Sequence, residues 1–297
     1  MPWVRLLRLS NGPTALADVW MGYAVAAGSL EPTPALIAAS LASLCLYHGG
    51  MALNDARDAP DDSAQNRRRP IAQGAISRFS AFRLAYALLG LGVGLATLSA
   101  VLIGTLQAKP VGLFLAMLVL AYNSPAKRTV AGPLLMGLCR SFNCLLGIAV
   151  APVAIAEQVS AAWLVAIGIG AYTVGVTVYA RDESLGGRRG TLLFGMVICL
   201  LSLGWLAWGS HDAPRAASVI SWALLWAVTA LLTLRGMVAG WIQPRPAKIG
   251  RGVGVALQGL ILIDGVLATL YAGPPAGLAI LALLPVTMLL ARSIPQS

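Results

Sequence analysis

The 297-residue sequence predicts an all-α, polytopic membrane protein. Three observations carry that expectation. Apolar side chains make up 58% of the chain and charged ones 11%, well below the roughly 25% charged residues usual in soluble domains, and the mean hydropathy is +0.78. The apolar residues gather into runs, most of which reach the ~20 residues that a helix needs to cross a bilayer. The basic residues between the runs fall almost entirely on one side.

Ten runs are expected to be helical, at about 12 to 29, 34 to 53, 79 to 104, 110 to 123, 132 to 154, 159 to 180, 191 to 209, 215 to 236, 250 to 271 and 275 to 292. Pro and Gly punctuate many of the breaks, among them Pro32, Pro110, Gly132, Pro214 and Pro274, as at helix ends. With a cytoplasmic N-terminus, Arg5, Arg8, the Arg57 to Arg83 group, Lys127, Arg128, Arg181, Arg188, Arg189, the Arg235 to Arg251 group and Arg292 lie inside, and only Lys109 and Arg215 outside. That asymmetry accounts for the net charge of +10 without a nucleic-acid partner. The opening MPWVRLLRLSNG has no apolar core followed by a cleavage site, so no removable signal peptide is expected. Residues 1 to 297 read as a single membrane domain.

In the first run, Asp18 is costly in hydrocarbon and should face the bundle interior, as a structural partner or in binding. The same holds for Asp264 in the ninth. The second run leads into YHGGMALNDARDAPDDSAQNRRRPIAQGAIS, residues 47 to 77. If its helix continues through the acidic stretch, Asp55, Asp58 and Asp62 share one face within about two turns. Three carboxylates so placed repel one another. A divalent cation relieves that, and hard oxygen ligands favour Mg²⁺, with Asn54 as a neutral ligand or an orienting hydrogen bond. The alternative is a solvated acidic loop. His48, seven residues before Asp55, either shares that face or is a buried, hydrogen-bonded histidine.

Asn54, Asp55, Asp58 and Asp62 fit NDxxDxxxD, and Arg69-Pro70-Ile71, Gly74, Ile76 and Ser77 fit the RPIxxGxIS that follows it, as both stand in the UbiA superfamily of intramembrane prenyltransferases, which the chain resembles over these 24 or so residues. The resemblance implies a UbiA-like bundle of nine or ten transmembrane helices around a central cavity. It also implies that the first aspartate motif holds Mg²⁺ against a polyprenyl diphosphate. Nine helices are usual in that fold. The tenth run therefore means either a broken or partial span, at 191 to 209 or 110 to 123, or an added helix.

The fourth run ends AYNSPAKR, where Tyr122, Lys127 and Arg128 resemble the family's YxxxxKR, whose cation helps to hold the diphosphate. The alternative for the two cations is ordinary anchoring at the membrane face. Within the fifth run, GPLLMGLCRSFNCLLG puts Arg140 and Asn143 one turn apart. An unpaired arginine there is expensive, so Arg140 should meet an acid or a polar cavity. GLCRxxN resembles the EboC-like branch of the superfamily and supports a ligand-facing role. The sixth run ends VYARDESLGGRRG, where the family carries a second aspartate motif. Only Asp182 and Glu183 are acidic here, so that motif is incomplete, and Arg181, Arg188 and Arg189 are candidates to meet phosphate directly.

Cys45, Cys139, Cys144 and Cys199 lie inside apolar runs without metal-ligand spacing and read as small core residues. Trp205, Trp208, Trp222 and Trp226 read as core or interface aromatics, and WIQPRPAKIGRG as a basic connection. No phosphate-binding glycine loop, zinc-protease motif or Ser/His/Asp set is present. Asp55, Asp58 and Asp182 are the expected catalytic residues, and Asp55, Asp58, Asp62 and Asp182 the metal ligands. Asn54, Arg68, Tyr122, Lys127, Arg128, Arg140 and Asn143 are expected to bind substrate, a prenyl diphosphate donor with a lipophilic or aromatic acceptor. Two other outcomes stay open: ionisation followed by cyclisation, or a quiet relative that binds an isoprenoid diphosphate without turning it over.

Overall fold

The structure is a computed structural model that describes residues 2–64, 69–152, 156–181, 188–215 and 218–293. Every element among them is helical. A short α1 (Pro2–Leu6) is followed by α2 (Gly12–Ala27), α3 (Pro34–Ala64), α4 (Arg78–Ile103) and α5 (Ala108–Tyr122). A 3₁₀ turn over Pro125–Arg128 leads to α6 (Ala131–Ile148), α7 (Ala156–Ala180), α8 (Arg189–Gly209), α9 (Val219–Ile242), α10 (Pro246–Ala272), α11 (Pro274–Leu281) and α12 (Leu283–Ser293). Eight stretches among the described residues are long and apolar enough to cross a membrane. The protein is a multi-pass integral membrane protein.

Each of the ten expected runs contains a helix among the described residues; α6 stops at Ile148, short of the expected 154, and three further differences stand out. The interruption falls in the last run, between α11 and α12 at Ala282, and not in 191 to 209, which is continuous as α8. At 15 residues α5 is short, about 22 Å at 1.5 Å per residue against a ~30 Å hydrocarbon core. The basic connection WIQPRPAKIGRG shrinks to three residues, because α9 runs on to Ile242 and Pro246 opens α10, where its missing N–H needs no partner.

Consecutive helices pack as neighbours from α2 through α10, and α10 packs back onto α2. Contact between α2 and α6 divides this ring across its middle. With lipid tails as apolar as leucine, close backbone approach is what holds such helices together. A Cβ on Gly147 of α6 would strike the Val19 carbonyl of α2, and one on Gly22 of α2 the Cys144 carbonyl of α6. This reciprocal fit brings the helix carrying Arg140 against the helix carrying Asp18.

Helix α3 continues through the acidic stretch despite Pro60. Proline cannot donate to the carbonyl four residues back, and that carbonyl, Ala56 O, accepts instead from Arg78 Nε at 2.8 Å. The exit from α3 ends in a turn in which Gln73 N donates to Arg69 O, Gly74 N to Ile71 O and Ala75 N to Pro70 O. Gly74 sits there at φ 72°, a conformation that glycine adopts without strain. Ser77 then caps α4, its Oγ accepting from Ser80 N at 3.1 Å. The turn thereby fixes Arg69.

Gly147→Ala should lower thermal stability in detergent by about 1–3 kcal/mol, the usual range for overpacking, because backbone must move. Gly94→Ala, where a Cβ meets nothing within 4 Å, should leave the melting temperature unchanged or raise it. Equal melting of the two variants would remove the α2–α6 contact from its assigned role.

Candidate active site

The acidic face of α3 is gathered, not splayed. Asp55 and Asp62 each expose only 4% of their side chains. One guanidinium nitrogen, Arg69 Nη1, donates to Asp55 Oδ1 at 3.1 Å and to Asp62 Oδ2 at 2.9 Å, and lies 3.6 Å from Asp58 Oδ2. Arg8 Nη2 donates to Asp55 Oδ1 at 3.2 Å. Lys127 Nζ donates to Asp58 Oδ2 at 2.6 Å and to Asn54 Oδ1 at 2.7 Å, while Asn54 Nδ2 donates to Asp58 Oδ2 at 3.2 Å. Arg128 pairs with Asp61. Among the described residues, four carboxylates thus face Arg8, Arg69, Lys127 and Arg128, which offsets the repulsion expected along this face.

Three other elements come to the same place. Lys127 and Arg128 are delivered by the 125–128 turn after α5, with Lys127 Nζ 6.0 Å from the Tyr122 ring centre. Arg181 Nη2, at the end of α7, donates to Arg128 O at 3.1 Å. Arg8 follows α1 in a left-handed conformation, φ 49°, uncommon for a residue with a Cβ. It is held over Asp55 while His48 Nδ1 donates to Leu7 O at 2.8 Å. His48 is half-buried and hydrogen-bonded, which meets the second expectation in its bond and only partly in its burial. Asp182, Glu183 and Arg68 lie outside the described residues.

Arg8 also lines a cavity of about 300 Å³ between α2, α3, α5, α6, α7 and α10. Its polar lining includes Asn11, Tyr47, Arg140 and Asn143, and its apolar lining Leu46, Leu115, Val119, Val176 and Leu257. Tyr122 belongs to it as well. Arg140 meets both an acid and a cavity. Its Nη1 donates to Asp18 Oδ2 at 2.8 Å and Thr14 O at 3.1 Å, and its Nη2 to Thr14 Oγ1 at 2.8 Å. Asn143 Nδ2 donates to the same Asp18 oxygen at 2.9 Å and to Ala15 O at 2.8 Å. Asp264, fully buried on α10, faces Asp18. Asp18 is therefore a structural partner for α6, and Arg140 and Asn143 are cavity wall anchored to α2.

Oxygens from three carboxylates within reach of a single nitrogen are a donor set that suits a hard cation such as Mg²⁺. In the present arrangement that position belongs to Arg69, and among the described residues no three acidic, His or Cys side chains are drawn together as metal ligands. The donors fit the metal chemically, provided that Arg69 moves aside.

The sequence matches the UbiA prenyltransferase family over residues 15–241. The chain belongs to that family. Its curated relatives include digeranylgeranylglyceryl phosphate synthases of Metallosphaera sedula, 30% identical over 148 residues (49% of this chain, 50% of the relative), and of Methanoculleus marisnigri, 32% identical over 127 residues (43% of each). The chain spans about half the length of these relatives or less. Among solved structures, a UbiA homolog from Archaeoglobus fulgidus bound to DMAPP and Mg²⁺ superposes with TM-score 0.62 at 14% identity, covering 95% of this chain and 99% of that one. A UbiA homolog from Aeropyrum pernix K1 gives 0.64 at 19%, covering 91% and 98%. A digeranylgeranylglyceryl phosphate synthase gives 0.64 at 15%, covering 91% and 98%. At such identities the likeness establishes the UbiA fold.

Sequence reasoning about the site passed over Arg8 and, as a side chain with a job, Arg69. Arg69 carried a signal in the RPI that opens the second half of the motif. Arg8 carried none beyond its sign.

Removing Arg140 should be severe, because a buried acid left without its partner costs about 3–5 kcal/mol. Arg140→Met should melt far below the wild type in detergent, and adding Asp18→Leu should restore part of the loss. A double variant no more stable than Arg140→Met would show that the pair contributes nothing as a pair.

Proposed function

We propose that the protein is a Mg²⁺-dependent intramembrane prenyltransferase. It takes a prenyl group from a polyprenyl diphosphate and gives it to a lipophilic or aromatic acceptor, with residues 1–297 acting as one membrane domain. The observation that carries this reading is the convergence of Asp55, Asp58 and Asp62 on Arg69, next to Arg8, which pairs with Asp55 and also lines a largely apolar cavity. Mg²⁺ held by these three residues and Asp182 would neutralise charge on the departing diphosphate.

The chain's own residues divide the remaining work. Arg8, Arg69, Lys127 and Arg128 are the cations that turn from carboxylates to phosphate oxygens when the donor enters, and the sequence adds Arg68 to that set. Asn54 holds Asp58 in orientation. Tyr122, with Leu46, Leu115, Val119 and Leu257, shields the allylic carbon from water as the C–O bond breaks. Arg140 and Asn143 supply the polar wall facing the substrate. Asp55, Asp58 and Asp182 are the catalytic set.

The one-sided distribution of basic residues supports a cytoplasmic N-terminus and a cytoplasmic aspartate-bearing end. With α2 and α5 also crossing, the helices around the central cavity number ten, the last interrupted at Ala282. GLCRxxN favours the EboC-like branch, and the relatives' name puts a phosphate-bearing lipid alcohol on the acceptor panel beside aromatic acceptors.

Asp55→Ala and Asp58→Ala should each abolish Mg²⁺-stimulated pyrophosphate release from a panel of prenyl diphosphates, with the protein still folded in detergent. Mass analysis of the extracted lipids identifies the acceptor, and a cyclic hydrocarbon would indicate cyclisation. Saturable donor binding with no pyrophosphate at any Mg²⁺ concentration would show a quiet binding protein and overturn the transferase assignment.

A further inference from the structure

A second cleft, of about 520 Å³, lies between α3, the start of α4 and the 125–128 turn, and shares Asn123 with the first cavity. Arg57, Arg78, Lys127 and Arg128 line it, and Asp58 is its one acid. At 100° per residue, Arg57 projects roughly 160° around α3 from Asp55, with Asp58 between them. The cleft therefore borders the aspartate cluster, sharing Asp58, Lys127 and Arg128 with it, and Arg57 and Arg78 lie beyond that cluster.

Its charge is not balanced. Lys127 and Arg128 are matched by Asp58 and Asp61, but among the described residues no carboxylate lies within ion-pair distance of Arg57 or Arg78. Both are nonetheless fixed in place. Arg57 Nη1 donates to Asn123 O at 2.8 Å, and among the described residues Arg78 hydrogen-bonds only through its Nε, to Ala56 O, with neither Nη group of its fork engaged there. The Arg78 guanidinium lies 5.3 Å from the Phe82 ring centre, and Phe82 stacks with Tyr86 at 6.3 Å and 17°. Two oriented guanidinium groups without counter-ions make an anion site.

The wall of the cleft gives the class of anion. Phe82 and Tyr86 belong to α4, whose outward face (Phe79, Tyr86, Leu91, Leu98) is exposed and apolar, the surface that lipid tails cover. A ligand with phosphate at the arginines and chains along this face satisfies both halves of the site, and basic pockets between helices at a membrane surface bind lipid head groups in this way. We propose that this cleft binds the phosphate head group of an anionic lipid, through Arg57 and Arg78 as the recognition pair. The assignment does not depend on catalytic turnover.

The test is titration of the purified full-length protein with phosphatidic acid in mild detergent, read by native mass spectrometry, with phosphatidylcholine as the neutral comparison. Arg57→Gln/Arg78→Gln should weaken phosphatidic acid binding ~10-fold or more, at about 1 kcal/mol per arginine, and leave phosphatidylcholine unaffected. Arg83→Gln, on the same helix but outside the cleft, should bind as the wild type does. Because Arg78 also caps Ala56, Arg57→Gln alone and the charge-keeping Arg78→Lys are measured beside the double variant. Arg57→Gln alone should weaken binding ~3-fold or more on the same basis. Wild-type binding by the double variant and by Arg57→Gln, or an equal loss in Arg83→Gln, would overturn the site. Inorganic phosphate and glycerol phosphate at equal concentration should fail to displace the lipid. Displacement by either would assign the cleft to a soluble anion and refute the lipid assignment.

Discussion

Four carboxylates within two turns of one helix, at the end of a bundle with little charge elsewhere, must be neutralised, and much of the local architecture answers to that constraint. Arg8 arrives through a chain reversal that leaves it in left-handed backbone geometry. Arg69 is held by a turn that needs Gly74 at positive φ, and Lys127 and Arg128 ride on a 3₁₀ turn. The four cations come from three different connections, so the cluster ties the ends of α2, α3, α4, α5 and α6 into one polar cap. An unpaired buried charge costs several kcal/mol. With side-chain exposures of only 4% at Asp55 and Asp62, the cap is a condition of the fold as well as of the chemistry.

The same principle operates deeper in the bundle with a different outcome. Asp18, Arg140 and Asn143 form a polar joint between α2 and α6, made possible by the close approach at Gly22 and Gly147. The joint sets the wall of the reaction cavity. Backbone packing permits the ion pair, the ion pair orients a polar surface, and the cavity receives a fixed pattern of donors at one end and aliphatic side chains along the rest. Arg140 can face a ligand because Asp18 already satisfies its charge.

How much of this could be read in advance follows from what each feature depends on. The ten helices were legible because apolar run length and flanking Pro and Gly are local properties. The demand that Arg140 find an acid was legible too, since it follows from the cost of charge in hydrocarbon. The choice of Asp18 was not, because 122 residues separate the two and only helix packing joins them. The Ala282 break has a local signal that lies beyond it, since Pro285 cannot donate to the Leu281 carbonyl, and α10 begins earlier than expected because Pro246 opens a helix as readily as it ends one. Arg8 was illegible for a further reason: a positive side chain near the N-terminus reads as membrane anchoring, and only the fold-back of α1 onto α3 shows that it meets Asp55.

The balance of the cap also bears on how a metal and a diphosphate are received under the proposed reading. Among the described residues each acid of the cap already faces a cation, and Arg69 stands where three carboxylates converge. A bare metal ion would have to expel that guanidinium into a poorer environment. A metal accompanied by a diphosphate brings its own anion, and the expelled arginine and lysine then exchange carboxylate for phosphate oxygens without loss of charge pairing. The same pairing that lets the acids sit inside the bundle thus favours joint arrival of cation and anion over either alone.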